Sequence, residues 1–224
     1  MKILIACEYS GTVRDAFSAL GHDATSCDIL PTEKPGKHYQ GDVTEILGDG
    51  WDIMIAHPPC TYLSVSGIHW NNRGRGWDQT EKALEFVQLL MNAPISRIAI
   101  ENPISIISSR IKKPSQVIQP WMFGHMEQKA TCLWLKNLPA LRETNNVKAE
   151  MMKLPDKERQ RIHYLPPSKD RWKLRSTTYQ GIADAMAKQW SNPDYFELER
   201  SQLQAPQTFF DFCEIKLDIT ETLS

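Results

Sequence analysis

Two short segments of the chain carry side chains able to do covalent chemistry. Ile55-Ala56-His57-Pro58-Pro59-Cys60 places a thiol directly after a Pro-Pro pair at the end of an apolar run. Proline fixes its own φ and keeps the preceding residue out of the helical region, so the chain leaves the strand in one direction and Cys60 projects from a stiff loop. Ile98-Ala99-Ile100-Glu101-Asn102-Pro103 follows the same plan later in the chain, with an acid at the end of another apolar strand. A thiol and a carboxyl at neighbouring strand ends form a nucleophile and a proton donor. A thiol of ordinary pKa is only a few per cent ionised at neutral pH, so it needs a cation or a helix terminus nearby. Arg73 and Arg75 are the candidate cations. The plain alternatives are a small buried cysteine and a glutamate serving as a cap or surface ion pair.

Upstream, Glu8-Tyr9-Ser10-Gly11 lies between a strand and a helix, where backbone N–H groups and a helix N-terminus can approach a ligand and Gly11 lacks the Cβ that would obstruct it. Asp28 falls at the end of the second strand, where folds of this kind bind ribose hydroxyls with a carboxylate. In chain order, the glycine turn at Tyr9-Ser10-Gly11, the Pro-Pro-Cys loop and Glu-Asn resemble the DNA cytosine-C5 methyltransferase family, from about Met1 to Leu141 and again over Ser176 to Met186.

The resemblance implies S-adenosylmethionine as cofactor, held by Glu8, Tyr9, Ser10, Gly11, Asp28, Asp42 and Pro58, with Asp42 near the adenine. It implies that Cys60 attacks C6 of cytosine, that Glu101 donates to N3 and that Asn102 supports the Cys60 loop. The stretch Thr61 to Asp78 resembles the family's closing catalytic loop: Ser64, Arg73 and Arg75 would meet the nucleic acid and Trp70 or Trp77 would stack on a base. Gln128-Lys129-Ala130-Thr131 stands where the family has Gln-x-Arg-x-Arg, so Lys129 and Thr131 would replace two guanidinium groups. Thr178-Tyr179-Gln180-Gly181-Ile182 resembles the family's last motif, or is simply a helix start. His125 reads as a loop hydrogen-bonder. The chain departs from the family in lacking the second glycine of the cofactor turn and in having Pro103 where the family has Val.

Other readings use the same residues. Methylene-tetrahydrofolate could serve as donor, giving hydroxymethylcytosine, and a free pyrimidine nucleotide could be the substrate. A relative that binds nucleic acid without chemistry is a further alternative. A thiol hydrolase or redox protein would need a His or second Cys beside Cys60, and His57 is the near one in sequence. An amino-group methyltransferase would place an aromatic residue directly after Pro-Pro, where this chain has Cys60.

The elements that must position these groups follow from periodicity. Lys2 to Cys7, Asp23 to Asp28, Trp51 to Ile55 and Arg97 to Ile100 read as strands, with Gly41-Asp42-Val43 on a loop edge. Thr12 to Leu20, closed by Gly21, and Thr80 to Asn92 read as helices. Lys129 to Leu135 reads as a further strand, in the antiparallel part of the sheet. Glu143 to Arg161 is expected to contain a helix, Leu165 to Lys173 is a Pro-containing loop, and Tyr179 to Trp190 is a helix. The alternation gives an α/β fold: a doubly wound, mostly parallel sheet of the S-adenosylmethionine-dependent methyltransferase type, with ligands beyond the strand carboxyl ends.

The 224 residues suit one such domain, over 1–190, with a basic insert at 142–175 and an acidic extension over 191–224. The insert has ten basic residues against five acidic, among them Lys169, Arg171 and Lys173, while the extension has seven acidic against two basic. Net charge is only −1, so DNA, double- or single-stranded, would be held by the insert. It is too short to read many bases, which implies low sequence specificity and a compact, phage-like enzyme. Five cysteines without a CxxC pair suggest neither a disulfide framework nor a metal site. The apolar runs are too short to span a membrane, and a cytoplasmic location in a bacterial or phage-infected cell is expected.

Overall fold

A computed structural model describes residues 1–195. The suggested strand around Phe209 to Ile215 and most of the acidic extension lie outside the described residues. Seven strands form one sheet: β1 (Lys2–Ala6), β2 (Asp23–Asp28), β3 (His38–Gln40), β4 (Ile53–Ala56), β5 (Arg97–Pro103), β6 (Gln116–Ile118) and β7 (Thr131–Lys136), in the order β3-β2-β1-β4-β5-β7-β6. β7 runs antiparallel to both neighbours, and the other pairings are parallel. This mostly parallel α/β sheet is compatible with a Rossmann-like methyltransferase fold. The helices are α1 (Thr12–Ala19), α2 (Val65–Ile68), α3 (Asp78–Met91), α4 (Ile107–Arg110), α5 (Lys148–Met151), α6 (Asp156–Arg159), α7 (Arg161–Tyr164), α8 (Arg171–Ser176) and α9 (Gln180–Trp190).

Strand side chains alternate between faces, and the core divides accordingly. Ile3, Ile5, Ile53, Ile55, Ala99 and Leu133 join Val13 and Phe17 of α1 and Ile182, Met186 and Trp190 of α9. Leu4, Ala6, Met54, Ala56, Ile98, Ile100 and Trp134 join Leu84, Val87 and Leu90 of α3. Central strands buried on both sides must be apolar at every position, which is why Ile-Leu-Ile-Ala and Ile-Met-Ile-Ala read so clearly.

The expected strands and long helices are present, with shifted ends. β1 stops at Ala6 because Cys7 takes a left-handed φ of 58°, and β5 continues past Ile100 because β7 pairs with it as far as Pro103↔Thr131. β3 and β6, three residues each, carry too little period to be seen in sequence. The helix expected within Glu143 to Arg161 is divided into short turns, since Pro155 cannot donate to a continuing helix. The loop expected over Leu165 to Lys173 gives way to α8 at Arg171. Among the described residues no helix is long and apolar enough to cross a membrane.

α9 is the late element that closes the α1 face. Trp190 is fully buried, and its indole N–H donates to the Pro139 carbonyl at 2.9 Å. Trp190→Ala is expected to lower unfolding free energy by about 3–5 kcal/mol, through lost burial and the cavity left behind. Urea denaturation checks this, and a loss below about 1 kcal/mol would show that α9 does not contribute to the cooperative core.

Candidate active site

The candidate site is built at the carboxyl ends of β4 and β5. Their parallel register pairs Ala56 with Ile100, so the next residues on each strand, His57 and Glu101, stand side by side on the α1/α9 face. His57 Nδ1 and Glu101 Oε2 are 2.9 Å apart, with only 10% and 14% of the two side chains exposed. One residue further, Asn102 points to the other face, where its Nδ2 donates to the Pro58 carbonyl at 2.8 Å. The two outgoing loops are also joined by a bridge between Ser64 and Ser105 and by the Ile106 N–H donating to the Leu63 carbonyl at 3.0 Å. Cys60 sits on the loop so held. His57 Nε2, Asn102 Oδ1 and Ser105 Oγ are buried without a hydrogen-bond partner among the described residues.

Of the four described cysteines, all free, Cys60 alone is exposed. Protein nonetheless crowds it, and the resulting desolvation raises its pKa. The Glu101 charge adds to the rise, while Lys129 and Arg175 oppose it. The cations acting on the thiol are therefore Lys129 and Arg175, and the expectation for Arg73 and Arg75 in that role is corrected. Arg175 escapes a sequence reading because nothing local ties α8 to the Pro-Pro-Cys loop. In the Glu101–His57 pair, burial opposes charge on both groups, but their hydrogen bond and mutual attraction prevail, raising His57 and lowering Glu101. Glu101 is thus a paired carboxylate in the resting protein, not the lone acid expected from sequence. His57 has no hydrogen bond to Cys60 among the described residues, so the pairing a thiol hydrolase requires is not formed.

The turn after β1 differs from the expected open cradle. Glu8 is buried, and its carboxylate accepts from the Val13 N–H at 2.7 Å, the Arg14 N–H at 3.2 Å and the Ser10 hydroxyl at 3.2 Å. It occupies the amides at the start of α1 that a ligand would have met, and Ser10 is buried with it. Gly11, at φ 71°, is needed because a Cβ there would overlap the guanidinium of Arg14. That guanidinium is buried, with Nη1 donating to Ser26 and Thr32 and Nη2 to the carbonyls of Lys34 and Pro35. Tyr9 is buried, with its ring 5.5 Å from Trp172 and its hydroxyl 3.3 Å from that of Ser176. Glu8, Ser10 and Gly11 are therefore structural here. Asp28 and Asp42 remain at strand ends: each binds one nearby backbone N–H through Oδ1, from Leu30 and Thr44 respectively, and burial raises the Asp28 pKa. Their carboxylate oxygens can accept from hydroxyl or amino groups, whereas the amides at the start of α1 are taken by Glu8.

The segment Thr61 to Asp78 is folded. Ser64 caps α2 by accepting from the Gly67 N–H at 3.3 Å. Asn71 is buried, donates to Thr80 at 2.7 Å and accepts from Arg75. Arg75 also donates to the Gly67 carbonyl and lies 4.8 Å from the Tyr62 ring centre. Ser64 and Arg75 thus hold the loop together, and neither presents its polar group outward as expected. Arg73 and Trp70 remain exposed, with the guanidinium 6.0 Å from the ring centre. Thr131 is buried and donates to the Lys129 carbonyl at 3.2 Å, whereas Lys129 Nζ donates to the Arg175 carbonyl at 2.8 Å. Lys129 therefore reaches the site and Thr131 does not. Lys173 pairs with Glu33 at 3.1 Å, Arg171 is half-buried and Lys169 is exposed. His125 accepts from the Gly181 N–H at 2.9 Å, a start-of-helix bond in keeping with the loop role expected for it. No cluster of residues able to hold a metal ion occurs among the described residues.

Comparison with known proteins finds no family model that matches the chain and no curated protein that matches it.

Because burial raises the Cys60 thiol, alkylation of the Cys60 peptide should have a pH midpoint above the ordinary value of about 8.5. Lys129→Met removes a cation that opposes the rise, and is expected to move the midpoint higher still. Peptide mass spectrometry after timed iodoacetamide labelling reads both. A midpoint at or below the ordinary value, or no response to Lys129→Met, would contradict this account of the site.

Proposed function

We propose that the protein is a DNA cytosine-C5 methyltransferase-like enzyme with low sequence specificity. The observation that carries the reading is an exposed thiol, Cys60, on a Pro-Pro loop whose geometry is pinned by Asn102 beside the Glu101 carboxylate. A thiolate suits attack on an electron-poor ring carbon far better than transfer to an exocyclic amine. Cys60, having lost its proton to solvent, attacks C6 of the base as the thiolate, the proton held by the His57–Glu101 pair passes to N3, and the electron pair delivered to the ring makes C5 nucleophilic. After C5 takes its one-carbon group, loss of the C5 proton to solvent expels the thiolate and N3 returns its proton to the His57–Glu101 pair.

S-adenosylmethionine, when bound, supplies an electrophilic methyl group, and Asp28 and Asp42 would hold its ribose and adenine, with Pro58 bordering them. Lys129 and Arg175 offset charge on the sulfur, and the exposed Arg73, Trp70 and Lys169 are available to phosphate and base. Occupation of the α1 amides by Glu8 favours keeping a second donor in view, a methylene-tetrahydrofolate that would give hydroxymethylcytosine.

Incubation of cytosine-containing DNA with each donor, followed by nucleoside mass spectrometry, should reveal 5-methylcytosine or 5-hydroxymethylcytosine. Cys60→Ser should reduce product at least about a thousandfold without lowering the melting temperature, since an alcohol is a far poorer nucleophile. A duplex carrying 5-fluorocytosine should trap wild-type protein through Cys60, because fluorine cannot leave as the proton does. Modification at N4, or full activity in Cys60→Ser, would overturn the proposal.

A further inference from the structure

The pairing of His57 with Glu101 is not implied by the Pro-Pro-Cys and Glu-Asn segments themselves; it comes from the register between β4 and β5. Both side chains are largely withdrawn from solvent, and the 2.9 Å contact engages one carboxylate oxygen, Oε2. His57 Nε2 is buried with no hydrogen-bond partner among the described residues. A proton on this ring is therefore shared with Glu101 and is poorly accessible to bulk water. The backbone beneath the ring is fixed as well, since the His57 N–H donates to the Ala6 carbonyl at 2.9 Å and Asn102 holds the next residue.

We propose that His57 is a positioning residue for Glu101: it anchors Oε2, leaves Oε1 to meet the N3 edge of the base, and gives the pair one proton to hold between them. This rests on the cytosine-C5 reading for its substrate. A carboxylate free to rotate would present either oxygen, and one with no donor in so buried a place would become neutral. The charged groups acting on the ring are Glu101 from β5, Glu8 from the end of β1 and Lys129 from the approach to β7. The two carboxylates raise the ring's pKa and Lys129 lowers it. The pair thus keeps its proton below the raised His57 pKa and loses it as pH rises through that value.

Two substitutions separate positioning from mere packing. His57→Leu fills space without a donor, whereas His57→Asn restores an N–H near Nδ1 but cannot carry the proton. His57→Leu is expected to lower kcat for cytosine modification at least tenfold with KM changed less than threefold. His57→Asn should recover most of that loss at low pH, with the alkaline fall in rate moved to lower pH because the proton must then reside on Glu101 alone. Wild-type rates in a folded His57→Leu protein would overturn the proposal. So would a folded His57→Asn protein no better than Leu, or a His57→Asn pH profile that overlays that of the wild type.

The pair can also be read without turnover. The His57 ring resonance, identified by its loss in His57→Asn, should titrate above the ordinary histidine value of about 6.5 and fall in Glu101→Gln, where burial is less opposed. A titration that Glu101→Gln leaves unchanged would overturn the pairing. If wild-type protein modifies no cytosine with either donor, the functional reading fails, while the titration still decides whether the pair exists.

Discussion

The candidate site depends on the parallel register of β4 and β5. With Ala56 opposite Ile100, the residues that leave the two strands meet in pairs: His57 with Glu101 on one face, Pro58 with Asn102 on the other. Strand side chains alternate strictly, so a slip of one residue would turn Glu101 toward α3 and take Asn102 away from the Pro58 carbonyl. The apolar faces forbid such a slip, because Ile53 and Ile55 would exchange places with Met54 and Ala56 in differently shaped halves of the core. Packing far from the thiol thus fixes the chemistry at the strand ends. The buried pair then needs both members, since removing one leaves the other charged and desolvated.

The turn after β1 shows how the same architecture can be stabilised from within. In folds of this kind the amides that open the first helix are available to a ligand. Here Glu8 takes them, and the positive end of α1 is matched by the protein's own carboxylate. Arg14, in the first turn of that helix, turns back under Gly11, donates to Ser26 of β2 and organises the loop that follows β2 through the Thr32 hydroxyl and the Lys34 and Pro35 carbonyls. A buried guanidinium with so many acceptors is stable only as a complete network. The glycine therefore serves an internal guanidinium.

Much of this was legible in the sequence because long apolar runs and Pro-Pro have few structural solutions. The strands from Lys2, Asp23, Trp51 and Arg97, the helices from Thr12, Thr80 and Tyr179, and the antiparallel strand before Leu135 are all present. The resemblance also implied that Asn102 supports the Cys60 loop, and its Nδ2 donates to the Pro58 carbonyl there. What escaped depended on partners distant in sequence. Gly11 looks the same whether a ligand or Arg14 lies against it, and an arginine in a polar loop looks available whether or not, like Arg75, it is bound to Asn71 and Gly67. His57 was visible as the residue before Pro-Pro, but its partner became apparent only with the register.

Segments late in the chain complete the site, and they constrain how the thiol behaves at rest. α8 joins its two halves: Trp172 and Ser176 contact Tyr9, Lys173 pairs with Glu33, and the Arg175 carbonyl receives Lys129. Lys129 and Arg175 are thereby brought near Cys60 together, yet burial and Glu101 still raise the thiol. A cysteine that is exposed but mostly protonated reacts slowly with oxidants and stray electrophiles, because the thiolate is the reactive form. Raising the pKa also makes the thiolate, once formed, a stronger nucleophile. The arrangement therefore combines a small resting thiolate fraction with a thiolate of high intrinsic nucleophilicity, and Lys129 together with Arg175 of α8 keeps that fraction from vanishing.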